Sequence, residues 1–171
     1  MDDRLIELFK LELETQCKMA DIAAEDLDAG LASSSVGRVW GAIQGVLIAA
    51  GNAAKLLWGS QGPEVEAMRK PLRDLVGVAD DSPLRKRTVR NAFEHFDERL
   101  VEWFEKQGDE PLAIRSIAPT GLPLVSGPKG PPAHFGRFDP QNGIVIFWNK
   151  EISLIDLLRE LRQIQDRLAP Q

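Results

Sequence analysis

The chain is poor in the residues that most catalytic and metal sites use. It has one cysteine, two histidines and no tyrosine among 171 residues. Cys17 cannot form an internal disulfide or a cysteine zinc site. With only His95 and His134 besides, a histidine-rich metal cluster is ruled out, and neither a metal nor a cofactor is expected. Long hydrophobic runs are missing too. The longest uncharged stretch, between Arg38 and Lys55, holds sixteen residues and is interrupted by Gln44 and Asn52. A membrane-spanning helix needs about 20 predominantly apolar residues, so no membrane role is expected. Met1-Asp2-Asp3-Arg4 lacks the basic start and apolar core of a secretory signal. With a free cysteine, that points to a reducing cytoplasm. Positive charge is scarce: 21 bases face 26 acids, for a net charge of −5. That excludes a nucleic-acid binder working by bulk charge.

What is present is ordinary globular composition, 43% hydrophobic and 27% charged. The length suits one domain over residues 1–171 with a sizeable core. The periodicity predicts helices at about 2–29, 35–58, 63–78, 83–107 and 152–168. In the first, Leu5, Phe9, Leu13, Ala20, Ala23 and Leu27 share a face. Residues 1–32 alone carry nine acids against three bases. In the second, Val39, Ile43, Val46, Ala50, Ala53 and Leu57 make the apolar stripe. Gly37, Gly41 and Gly45 make another. Glycine inside a helix costs roughly 0.5–1 kcal/mol relative to alanine. Three in register imply close approach of another backbone, within the domain in preference to across a dimer. Pro71 should bend or interrupt the third helix. In the last, Ile155, Leu158, Leu161, Ile164 and Leu168 share a face, with Ser153 as a cap.

Residues 107–132 are rich in proline and glycine and read as a long loop, with a short strand at 113–117. A hairpin follows: 134–138, the turn Asp139-Pro140-Gln141-Asn142-Gly143, then Ile144-Val145-Ile146-Phe147-Trp148.

The fourth helix carries the chemistry. Arg85, Lys86, Arg87 and Arg90 precede Asn91 and His95. On a helix, Arg90 and His95 are about 7.5 Å apart along the axis and diverge by about 140°. Asn91 and His95 share a face, and Arg90 and Glu94 are spaced as an ion pair.

The string RNAFEH, Arg90 to His95, resembles the Arg-x4-His motif of the HEPN superfamily, with Asn91 as the polar residue after the arginine. The specific likeness covers about fifteen residues (RNAFEHFDERLVEW). The resemblance implies an all-α, HEPN-like bundle of about five helices, with the loop and hairpin at about 108–150 inserted before the last. It also implies a metal-independent endoribonuclease of toxin or phage-defence type. Such an enzyme would act as a homodimer, with Arg90 and His95 of two copies in one composite site. RNA is then the substrate, and an antitoxin such as a small nucleotidyltransferase is an expected partner.

The residue chemistry fits. Histidine, with an ordinary pKa near about 6.5, can take the 2′-hydroxyl proton. Arginine can hold phosphate oxygens. Asn91 can fix the ring's tautomer or position the phosphate. Arg85, Lys86 and Arg87 can draw in the RNA backbone. The alternative is a non-catalytic HEPN-like dimeric module binding a nucleotide or a partner protein, favoured by the acids Glu94, Asp97 and Glu98.

Other features read as structural. Pro128–Pro132 lacks the pattern of a phosphate loop. His134 belongs to the hairpin. Trp40, Trp58, Trp103 and Trp148 are expected in packing, and Cys17 is expected to be inert.

Overall fold

A computed structural model describes residues 2–60, 62–86, 95–107, 112–120, 133–148 and 150–169. Among them are six α-helices: α1 (Asp3–Ala32), α2 (Val36–Trp58), α3 (Gly62–Met68), α4 (Lys70–Leu75), α5 (Phe96–Gln107) and α6 (Leu154–Leu168). There are six short strands: β1 (Leu112–Ala113), β2 (Ser116–Ile117), β3 (Ala133–His134), β4 (Gly136–Asp139), β5 (Ile144–Phe147) and β6 (Lys150–Ser153). The chain forms two compact units, Met1–Arg87 with Asp156–Gln171, and Thr88–Ile155. The fold is mostly helical with a small sheet. Among the described residues no helix is long and apolar enough to cross a membrane.

In the first unit, α1 and α2 form a helical hairpin. Asp2 caps α1 by accepting from the N–H groups of Arg4 and Leu5, and Ser35 caps α2 by accepting from Arg38. The seam between the helices is lined with small residues. A Cβ at Gly45 would lie 2.9 Å from the Ala23 Cβ, and one at Gly30 would lie 2.9 Å from the Val39 backbone nitrogen. A part-buried polar pair, Asn52 Nδ2 donating to Gln16 Oε1 at 3.3 Å, spans the seam. The expected stripe of α2, from Val39 to Leu57, is buried throughout, as are Trp40 and Trp58. Gly37 and Gly41, however, face open space. The close approach expected of all three stripe glycines within the domain holds at Gly45 alone.

The end of α2 is closed by a buried cation. Arg73 Nη1 donates to the Leu57 carbonyl at 2.7 Å and to the Glu66 carbonyl at 3.0 Å. The last carbonyls of a helix have no partner within it and favour positive charge. Arg73 therefore ties α2, α3 and α4 together. The expected third helix is broken at Arg69 into α3 and α4, and Pro71 lies in the first turn of α4, where its missing N–H costs nothing. Arg167 of α6 donates to the Val76 and Gly77 carbonyls, and Arg162 pairs with Asp21 of α1 at 2.9 Å.

The expected fourth helix is not continuous. Pro83–Arg85 form one 3₁₀ turn, and Lys86 has extended backbone angles. Bases at a helix start face the positive end of its dipole, so this run favours a short turn over a long helix. The next described helix, α5, starts at Phe96. Its apolar residues are only partly covered: Leu100 and Trp103 are half-buried, and Phe104 is exposed.

The sheet of the second unit is larger than one hairpin. β4 and β5 pair antiparallel as expected, Gly136 opposite Phe147 and Asp139 opposite Ile144. β6 adds antiparallel to β5, and β2 adds parallel to β4, giving the order β2-β4-β5-β6. β1 and β3 pair separately and in parallel. Phe135, Phe138, Val145 and Phe147 are buried, and the Phe135 ring meets those of Phe147, Trp148 and Phe96 edge-on. Leu154, Leu157, Leu161 and Ile164 form the buried face of α6. The expected stripe is thus rotated at its start, because Ile155 instead sits over Gly143 of the turn.

Asp139 organises that turn. Its buried carboxylate accepts from Thr120 N–H at 2.7 Å, from the Thr120 hydroxyl, from Gln141 N–H at 2.9 Å, from Asn142 N–H at 3.3 Å and from Asn142 Nδ2 at 2.9 Å. These bonds, the Thr120 hydroxyl first, hold the carboxyl well below the usual carboxylate range.

Two predictions follow from this packing. Gly30→Ala and Gly45→Ala each force the α1–α2 seam apart and should cost about 1–3 kcal/mol, at about 2–4 °C of melting temperature per kcal/mol; thermal unfolding by circular dichroism measures this. The depressed pKa of Asp139 means its stabilisation is whole above the ordinary value of about 3.9 and is lost as pH falls below it. Unfolding followed between neutral pH and about pH 2 should show Asp139→Asn less stable at neutral pH and less sensitive to acid than the native chain.

Candidate functional site

Of the six residues assigned to the site from sequence, three can be placed. Arg87, Arg90 and Asn91 lie outside the described residues, as does the Arg90–Glu94 spacing. Arg85 and Lys86 belong to the first unit, and His95 belongs to the second.

His95 occupies the position just before α5, and its carbonyl accepts from Arg99 N–H at 3.3 Å. The ring is 59% exposed, and Nδ1 lies 3.3 Å from Oε1 of Glu98. Glu98 stands in the first turn of the helix, where a carboxylate suits both the free N–H groups and the dipole. The contact orients the imidazole and leaves Nε2 as the nitrogen able to exchange a proton with a ligand. Glu98 went unassigned from sequence as a partner of His95, although the three-residue spacing is the signal that finds it.

Arg85 is already engaged. Its Nη2 lies 2.6 Å from Oε1 of Glu66, and its Nη1 donates to the Asp80 carbonyl at 3.1 Å. The partners are nineteen and five residues away, so only the fold reveals them. Lys86 is exposed. Arg85 is therefore less available to a phosphate backbone than its place in the basic run implies. Beyond His95, α5 carries Asp97, Glu98, Glu102 and Glu105 against Arg99 and Lys106.

His134 falls in β3, and Pro128–Pro132 lie outside the described residues. Among the described residues, no three His, Cys, Asp or Glu side chains are grouped to hold a metal ion. Cys17 is buried in α1. Burial, with Asp21 and Glu14 adding, pushes its thiol up to about 12. Little thiolate then exists at neutral pH, and the thiolate is the nucleophile.

Native protein mixed with iodoacetamide at mildly alkaline pH should remain unalkylated at Cys17, while protein unfolded in guanidinium reacts readily. Intact-mass spectrometry reads both, and fast labelling of the native chain would contradict the buried placement.

No family model, no curated protein and no solved structure matches this chain.

Proposed function

We propose that the chain is a metal-independent endoribonuclease with a HEPN-like architecture, acting as a homodimer in which Arg90 and His95 of both copies build a composite site. One observation supports this reading above the others: the only histidine of the RNAFEH string is solvent-accessible and has one ring nitrogen held by a carboxylate, His95 Nδ1 by Glu98 at 3.3 Å. A ring oriented in this way can take the proton of a 2′-hydroxyl. Arg90 carries the charge that develops on phosphorus. Asn91 positions the phosphate or the ring. Arg87 and Lys86 contribute more of the backbone attraction than Arg85, whose charge is offset by Glu66. A toxin or phage-defence setting and an antitoxin partner belong to the same proposal.

A specific observation favours the second reading, a non-catalytic module that binds a nucleotide or a partner protein. The His95–Glu98 contact lies at a helix start, and α5 carries four acids, Glu98 among them. A carboxylate in the first turn stabilises a helix whether or not any ligand binds.

The two readings separate in one experiment. Purified protein is incubated in EDTA with RNAs of varied sequence, beside His95→Ala and Glu98→Gln. The ribonuclease reading expects cleavage by the native chain, a loss of about 10²–10⁴-fold for His95→Ala, and a smaller loss for Glu98→Gln. Equal cleavage by native chain and His95→Ala, or cleavage by neither, overturns it.

A further inference from the structure

The first α-helical bond of α5 runs from Arg99 N–H to the His95 carbonyl at 3.3 Å, so His95 ends the same spiral as the residues that follow it. At about 100° per residue, Arg99 stands about 40° round the helix from His95 and about 60° from Phe96, one turn further on. The arc of about 100° from His95 to Phe96 holds Arg99, Trp103 and Lys106 and no acid. Asp97, Glu98, Glu102 and Glu105 all fall on the rest of the circumference. An imidazole, a guanidinium and an aromatic ring therefore share one acid-free strip at the start of α5. They are 59%, 50% and 48% exposed.

The two residues beside His95 are suited to different parts of one ligand. The Phe96 ring is anchored: it meets Phe135 edge-on, centroids 6.0 Å apart, and Phe135 is buried against Phe147 and Trp148 at 4.6 and 5.3 Å. A ring held in this way and still half exposed has little freedom to lose when a flat group stacks on it. Arg99 is held loosely. Its pair with Glu102 is 3.5 Å long and both side chains are half exposed, the kind of surface pair that contributes little. Arg85, by contrast, is bound by Glu66 at 2.6 Å and by a carbonyl besides. A phosphate offers Arg99 the bidentate partner that Glu102 at that distance does not.

We propose that Phe96 and Arg99 bind one unpaired nucleotide of a single-stranded RNA beside His95. The base stacks on the Phe96 ring, Arg99 holds the phosphate on the 5′ side, and the ribose between them brings its 2′-hydroxyl to Nε2 of His95. The phosphate on the 3′ side, the one cleaved, is left to Arg90. This names the substrate class of the site already proposed and rests on the ribonuclease reading of His95. Stacking accepts any base and needs no field of positive charge, which suits a chain of net charge −5. A duplex is excluded, because each of its bases is already covered on both faces by its neighbours.

The test is binding of the full chain to a short fluorescein-labelled 2′-fluoro RNA, read by fluorescence anisotropy. Fluorine in place of the 2′-hydroxyl blocks cleavage, so affinity is measured on the intact strand. The same strand annealed to its complement is the second probe. The native chain should bind the single strand at least about tenfold more tightly than the duplex, and Phe96→Ala should lose about tenfold. Phe96→Tyr, which keeps the ring, should recover the loss. Arg99→Gln should bind more weakly and lower the salt slope by about 1. Phe104→Ala, an exposed ring of the same helix outside the strip, should bind as the native chain does. Failure of the native chain to bind the single strand overturns the proposal, as does equal affinity for the duplex. So does native affinity in either Phe96→Ala or Arg99→Gln, a Phe96→Tyr as weak as Phe96→Ala, or a loss in Phe104→Ala. The ribonuclease reading is judged apart, by cleavage in EDTA. Cleavage that is lost in His95→Ala keeps that reading whatever Phe96 does. Binding that depends on Phe96 and Arg99, with no cleavage, overturns it and leaves the nucleotide site standing.

Discussion

The approach of α1 to α2 at Gly30, Ala23 and Gly45 is the constraint on which the first unit depends. Helices ordinarily pack with axes about 8–10 Å apart, the distance set by the side chains at the contact. Here the contact residues are glycine and alanine, and added Cβ atoms at Gly30 and Gly45 would fall at 2.9 Å from their neighbours. So narrow a seam buries little apolar area per residue. It recovers stability through many close contacts between backbones and short side chains, and through the Gln16–Asn52 pair. At the end of α2, Arg73 of α4 donates to the Leu57 carbonyl and lies 5.8 Å from the Trp58 ring, and both residues are buried. The position of Arg73 follows from the seam in turn. Once Leu57 and Trp58 are buried, the carbonyls that end α2 are removed from water, and a cation reaching in from α4 satisfies one of them at 2.7 Å.

How much of this was legible in the sequence depended on how local the cause was. The long α1 and α2 come from neighbours within one turn, and the sequence shows them to within a few residues. The β4–β5 hairpin comes from the DPQNG turn between two β-rich runs. What escaped has non-local causes. β2 is two residues long and exists because β4 lies beside it in parallel. β6 begins with Lys150 and Glu151, a charged edge that carries little strand signal by itself. The rotation of the α6 stripe needs the knowledge that Ile155 covers Gly143. The 3₁₀ turn at Pro83–Arg85 replaces a helix start because basic residues there oppose the dipole, an effect visible in the sequence that the apolar periodicity overrode.

The candidate site shows the same division. His95 was expected inside a helix and stands in the turn just before one, and Glu98, at a spacing the sequence shows, was not read as its partner. The neutralisation of Arg85 by Glu66 was not legible, since nothing in the text of the sequence joins residues nineteen apart across a helix break. This alters the electrostatic picture. A count of four bases before the histidine suggests a local attractor for phosphate, but a cation paired at 2.6 Å contributes mostly a dipole at a distance. Affinity for RNA, if the chain cleaves it, must then come from groups placed close to the phosphate rather than from the field of the surface. Under the ribonuclease proposal, in a protein whose net charge is −5, that demand falls on Arg90.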